Sequence, residues 1–341
     1  MGWWSRPAAL NRGWIYRDRI GPEAEGLPVS AFYASRYRHS EQQEWQRRLE
    51  AGEIERNGER LRVDGSLAVG DRLAWHRPPW QEAAVPDSWQ VVFDDGDLHV
   101  IDKPAGLPVL PAGGFLEHTV LRLLERRHAS DHAGVPRPVH RLGRFTSGLL
   151  VCARRPATRA WLSEQLREST GSFPGSASPA NNTATPCREV PLAGGCRKVY
   201  RALLAPGRLE LAIGESLRIT TPIGRRSHPL LREIWCAAEA GDANALTACS
   251  TLTLLGRHRN ADLVEVAIAT GRPHQIRIHC AAVGAPLLGD PLYLPGGLAR
   301  PGVLPGEGGY RLHAQRLRLS RPEGTALELE ASHCPDIIPD A

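Results

Sequence analysis

Four segments concentrate the residue types that do chemistry. His140-Arg-Leu-Gly-Arg-Phe-Thr-Ser-Gly148 is a basic, polar loop that runs into an apolar stretch. Lys198-Val-Tyr-Arg-Ala202 puts a lysine, a tyrosine and an arginine on one strand. Thr270-Gly-Arg-Pro-His-Gln-Ile-Arg-Ile-His279 is a tight turn opening a helix whose first turns carry Arg277, and Asp102-Lys-Pro-Ala-Gly-Leu-Pro108 is a turn after a strand. Together they offer several guanidinium forks, which match phosphate oxygens, and a tyrosine ring able to stack on a base. That combination suits a nucleic-acid backbone and an extruded base better than a small apolar ligand. Other chemistries lack their residues. Lys103 and Lys198 are the only lysines among 42 basic residues, and neither lies in a G-x-x-x-x-G-K-[ST] loop, so a Walker-type nucleotide site is excluded. The 7 cysteines are odd in number and contain no C-x-x-C pair, which argues against a disulfide framework or a zinc ribbon and for a reducing, cytoplasmic setting. His274 and His279 are five apart, about 140° around a helix axis, so they do not share a face and no metal site is expected.

These segments need a scaffold. With 341 residues there is room for about two domains. No apolar run approaches the ~20 residues of a membrane-spanning helix, and the N-terminal segment has no apolar signal region. The formal charge of +5 is mildly favourable to a polyanionic partner. Residues 1–86 are rich in tryptophan and arginine and predict a small α+β module. Its expected parts are a helix over Ser40–Ala51 with Ser40 as N-cap, a hairpin at Asn57-Gly58, and short strands at Leu61–Val63 and Leu73–Trp75. Residues 87–330 predict strands at Val91–Phe93, Val100–Ile101, Leu149–Cys152, Val199–Leu204 and Asp262–Ala269. Helices are expected at Thr119–His128, Ala157–Arg167 and Pro273–Val283. Residues 168–197 carry a run of Gly, Ser, Pro, Ala, Asn and Thr that cannot bury a core, and read as a flexible insertion.

In this order the motifs resemble the RluA-type family of RNA pseudouridine synthases, whose blocks are HRLD-x-x-TSG, K-x-Y-x-A, TGR-x-HQIR-x-H and a GDPLY-like stretch. Here they stand at His140–Gly148, Lys198–Ala202, Thr270–His279 and Gly289–Tyr293, with Asp102–Gly106 upstream and Leu312-His-Ala314 downstream. The resemblance implies a pseudouridine-synthase fold: α+β, with a mixed, largely antiparallel central sheet flanked by helices, preceded by a degenerate S4-like RNA-binding module. It implies isomerisation of uridine to pseudouridine in rRNA or tRNA without a cofactor. Base stacking would fall to Tyr200 and charge organisation to Arg277, with His140, Arg141, Arg144, Lys198, Arg272 and His274 along the RNA. The fourth residue of HRLD, the family nucleophile, is Gly143 here, as in an HRLG-type branch. Glycine supplies neither nucleophile nor base. It also deprives Arg277 of its usual ion-pair partner, which RNA phosphate, Asp102 or Asp290 would have to replace. The rival expectation is an RNA-binding or ribosome-assembly factor that keeps the cleft without the chemistry.

Overall fold

The computed structural model describes residues 5–168, 196–320, 324–332 and 337. The chain forms two compact units: Ala8–Ala83 with Pro229–Arg232, and a larger unit containing Ala84–His228 and the residues from Glu233 onward. The insertion expected at 168–197 lies, apart from its edges, outside the described residues.

In the smaller unit, strands Trp14–Arg19, Arg72–Arg77, Ile54–Arg56 and Glu59–Arg60 make a four-stranded sheet in that order. Two helices, α1 (Val29–Arg36) and α2 (Gln42–Glu50), complete it. Trp45 and Leu49, one turn apart on α2, are buried with Tyr33, Ile54 and Trp75. The Tyr33 ring stacks on Trp45 with centroids 4.8 Å apart, and Arg48 covers the Trp45 face at 4.3 Å. Asn57 and Gly58 both take positive φ, 55° and 93°, as the tight hairpin requires. Two local expectations are corrected, and one helix appears that the sequence did not predict. The N-cap of α2 is Glu41, because the Ser40 hydroxyl is engaged by Arg48 Nη2 at 3.1 Å. Leu61–Val63 forms no strand: the hairpin strand ends at Arg60, with the Leu61 N–H to Ile54 O bond of 2.9 Å as its last backbone contact across to Ile54–Arg56. Helix α1 carries no side-chain cap and begins after Pro28, so it lacked a start signal.

The larger unit is built on a ten-stranded sheet. Its main path runs Ser216–Ile219, Ser250–Arg257, Asp262–Ile268, Arg197–Leu204, Leu312–Ser320, Thr146–Ala153, Leu98–Lys103, Gln90–Asp94. Along this path every pairing is antiparallel except the central one, where Thr146, Ser147 and Gly148 run parallel to Leu312, His313 and Ala314. That seam needs a glycine at 148. Its φ is +98°, and a Cβ there would meet the Ala314 backbone, with the nitrogen at 2.7 Å. Gly148 thus serves a close approach of two strands. Helix α3 (Val120–Arg127) is capped by Thr119, whose Oγ1 accepts from Arg122 N at 3.3 Å. Helix α4 (Pro156–Glu168) buries Leu162 and Leu166, and α5 (Gln275–Ala282) is buried along nearly its whole length. Gly284, at φ +85°, closes α5 in the left-handed region. Two apolar clusters lie along the sheet, one around Val100, Leu124 and Val151, the other around Leu252, Val264 and Leu312. Tyr200 packs against both. Among the described residues no helix is long and apolar enough to cross a membrane.

Candidate active site

Strand polarity gathers the motifs. Lys103 faces Gly148 across an antiparallel pair, so the turn after Lys103 and the loop before Thr146 lie at one end of the sheet. The parallel pairing of Thr146 with Leu312 brings the residues before Leu312 to the same end. Helix α5 leaves the opposite end, after Ile268, and returns so that Leu287 bridges Leu204 near this cluster of loops.

Gly143 is exposed in a turn closed by the Thr146 N–H donating to its carbonyl at 3.0 Å. The loop is braced from below by Lys103, one of the most deeply buried side chains of the unit. Its Nζ donates to the carbonyls of Pro104 at 2.8 Å, Leu107 at 2.9 Å and Arg144 at 3.2 Å. Three acceptors match the three protons of an ammonium, although burial pulls its pKa down to about 7. Arg144 completes the brace, its Nε donating to Gly106 O at 3.0 Å and its carbonyl accepting from Gly106 N at 2.9 Å. The Arg144 guanidinium lies over Phe115 at 4.4 Å. Arg144 is therefore a loop fastener as well as a basic residue.

Arg277 is buried on α5 and paired with Asp290: Nε to Oδ2 and Nη2 to Oδ1, each 2.7 Å. Nη1 donates to Pro305 O at 3.2 Å. Asp290 Oδ1 also accepts from the Leu292 N–H at 2.9 Å. Of the two carboxylates that the sequence offered for Arg277, the structure selects Asp290. Burial opposes the Arg277 charge, but the hydrogen bonds and charge of Asp290 outweigh it and raise the guanidinium pKa. The guanidinium also lies over Tyr310 at 4.3 Å and Tyr293 at 5.0 Å.

Tyr200 is half-buried between Ala314 and Val266, and burial raises its phenol pKa, so it stays neutral. Its neighbour Lys198 donates to Leu166 O at 3.0 Å. His140 Nε2 accepts from the Val151 N–H at 3.0 Å, and burial followed by the Lys198 charge depresses its pKa to about 3. His274, at φ 56°, shares a 2.7 Å hydrogen bond with Tyr293 Oη, whose own proton goes to Trp235 O at 2.8 Å. His274 Nδ1 is therefore the donor in that bond. Burial, then Arg277, lowers the His274 pKa to about 4. Both rings are neutral at pH 7, so neither brings a cation to a phosphate. Arg272 Nε donates to Thr247 O at 2.8 Å, and Arg141 is exposed. Gln275 holds the turn before α5, accepting from Thr270 Oγ1 at 2.7 Å and Arg272 N at 3.0 Å. His279 bonds Ser250 Oγ at 2.9 Å and Thr221 O at 3.0 Å, a structural role. No group of three His, Cys, Asp or Glu among the described residues is arranged to hold a metal ion.

Sequence reasoning missed Tyr310. It lies two positions before Leu312-His-Ala314, outside every motif, yet it is buried against Gly143, Thr146 and Arg277.

Known proteins resemble this chain along most of its length. The family model described as RNA pseudouridylate synthase matches residues 97–172 and 183–282. An uncharacterised RNA pseudouridine synthase of Synechocystis sp. is 39% identical over 314 residues, covering 90% of this chain and 94% of that protein. RNA pseudouridine synthase 5 of Arabidopsis thaliana is 35% identical over 345 residues, covering 91% and 89%. Ribosomal large subunit pseudouridine synthase D of Nitrosomonas europaea is 31% identical over 286 residues, covering 82% and 69%. The solved structure of a human protein, RNA pseudouridylate synthase domain containing 4, has the same fold, with a TM-score of 0.50, 20% identity, and coverage of 72% and 89%. With a family match over more than half its length and relatives alike along nearly all of it, the chain belongs to the RNA pseudouridine synthase family.

Proposed function

We propose that the protein isomerises uridine to pseudouridine in structured RNA, rRNA or tRNA, and that it does so from an HRLG-type site in which the family aspartate is replaced by Gly143. The reaction breaks the bond from uracil N1 to ribose C1′, turns the base, and joins C5 to C1′. The C5 proton leaves to solvent and N1 gains one, so the atoms balance without a redox carrier. The observation that carries this reading is the meeting of separated motifs at one spot: Gly143 stands against Tyr310, and Tyr310 against the Arg277–Asp290 pair. In this reading Tyr200 stacks on the target uracil, Arg141 meets phosphate, and Arg277, paired with Asp290, organises the charge and holds Tyr310 beneath the reacting sugar. Lys198, Arg144 and Arg272 hold the walls through the carbonyl contacts described above. His140 and His274 contribute neutral hydrogen-bonding rings. The smaller unit, two helices followed by a hairpin on an arginine-rich sheet, is read as an S4-like module that adds RNA affinity.

The test is tritium release from RNA labelled at uridine C5, isolated from cells that lack the protein. The wild-type protein should release tritium from one rRNA or tRNA fraction. RNA binding without release from either fraction would refute the isomerase and favour the binding factor.

A further inference from the structure

Gly143 and Tyr310 divide one space between them. A Cβ built on Gly143 would lie well under 3.0 Å from Tyr310 Oη, and 3.2 Å from Thr146 Oγ1. The φ of Gly143 is outside the left-handed region, so backbone conformation does not demand glycine; the phenol is the main obstacle to a side chain, with Thr146 Oγ1 a second, tight neighbour. The phenol has little room to withdraw. Its ring lies beneath the Arg277 guanidinium at 4.3 Å and edge-on to Phe145 at 5.9 Å, and its hydroxyl is 3.3 Å from Thr146 Oγ1. Arg277 does not need a carboxylate at 143, because Asp290 already pairs with it through both oxygens. The two tasks of the missing aspartate are thereby separated: Asp290 neutralises Arg277, and an oxygen of Tyr310 occupies the vacated position.

We propose that the Tyr310 hydroxyl is a catalytic group of this enzyme, contacting the target nucleotide beside Gly143 as a hydrogen-bond donor in the place of the family carboxylate. This assignment rests on the reading of the protein as a uridine isomerase. Burial raises the phenol pKa against the opposing pull of Arg277, so the hydroxyl keeps its proton at neutral pH. A protonated phenol does not attack the sugar, and no bond to the protein forms. It donates to the charge that develops as N1 departs from C1′, while Thr146 Oγ1, free to act as donor in their shared bond, supports the oxygen.

Tyr310→Phe removes one oxygen and leaves the ring. At saturating protein, on the tritiated RNA described above, release should slow by roughly 10²- to 10³-fold, the usual loss for one preorganised donor. RNA affinity by filter binding and melting temperature should stay near wild type, a split that a merely structural tyrosine would not give. Incorporation of 4-aminophenylalanine at 310, which keeps a donor there, should recover at least about tenfold over phenylalanine. In Gly143→Asp/Tyr310→Phe the new Cβ faces the ring carbon at 3.5 Å, an ordinary contact, and Thr146 Oγ1 at 3.2 Å must yield by only a few tenths of an ångström, so this double variant should fold and exceed Gly143→Asp alone in activity. A Tyr310→Phe protein as fast as wild type, or no gain from the amino analogue, would overturn the assignment while leaving the isomerase intact. A wild-type protein that releases no tritium from either RNA fraction would overturn both.

Discussion

Asp290→Ala should destabilise the larger unit severely, and the size of the effect follows from burial. The side chains of Arg277 and Asp290 are 3% and 0% exposed. Removing the carboxylate deletes two charge-assisted hydrogen bonds of 2.7 Å. It leaves the guanidinium with one carbonyl, Pro305 O at 3.2 Å, and the faces of two tyrosines. An orphaned buried charge of this kind costs about 3–5 kcal/mol, a factor of roughly 10² to 10⁴ in the unfolding equilibrium. With a urea dependence near 3 kcal/mol per molar, the midpoint should fall by about 1–1.7 M. The assay is urea unfolding of the full chain, followed by tryptophan fluorescence and by circular dichroism so that the two units can be told apart. Asp290→Asn keeps the shape and one acceptor but loses the charge, and should fall between wild type and alanine. Arg277→Met/Asp290→Leu should recover part of the loss, because no buried charge is left without a partner. A cost below about 1 kcal/mol for Asp290→Ala, the worth of a solvated surface pair, would refute the reasoning.

Other substitutions test the scaffold. Gly148→Ala drives a Cβ into the Ala314 backbone at φ +98° and should cost more than about 3 kcal/mol, read as loss of soluble folded protein. Lys103→Met strips donors from the carbonyls of Pro104, Leu107 and Arg144 and should cost at least about 2 kcal/mol. It should also speed tryptic cleavage after Arg141 and Arg144; unchanged cleavage would mean that the brace does not hold the loop. Acid should weaken the fold through histidines kept neutral by burial, His140 near 3 and His274 and His279 near 4. Above pH ~6.5 neither state binds these protons, and between that pH and the lowered values only the unfolded chain does. Stability should therefore drop steadily from pH 6.5 to about 4, with a shallower urea-midpoint slope in His140→Asn; an identical slope would count against a buried neutral ring there.

Local sequence was enough wherever neighbours in the chain make the structure. Asn57-Gly58 specified a tight hairpin because few other dipeptides tolerate two positive φ angles. Thr119 specified a helix start because its hydroxyl reaches an amide three residues on. The four motifs identified the family because each is a short block whose residues act together. What the sequence left open was every partnership across distance. Nothing in it distinguished Asp102 from Asp290 as the partner of Arg277; the return path of α5 decided that by bringing Asp290 to the guanidinium. Lys103 read as an ordinary motif lysine until three carbonyls from two loops converged on it. The need for glycine at 148 arises only where the parallel seam brings the Ala314 backbone against it. Tyr310 carried no signal, since it is separated from Gly143 by more than half the larger unit's sequence and meets it only through the pairing of Thr146 with Leu312. Residue types and spacing along the chain determine which chemistry is on offer; strand order and direction determine which groups meet, because contacts between distant residues exist only once the sheet has formed.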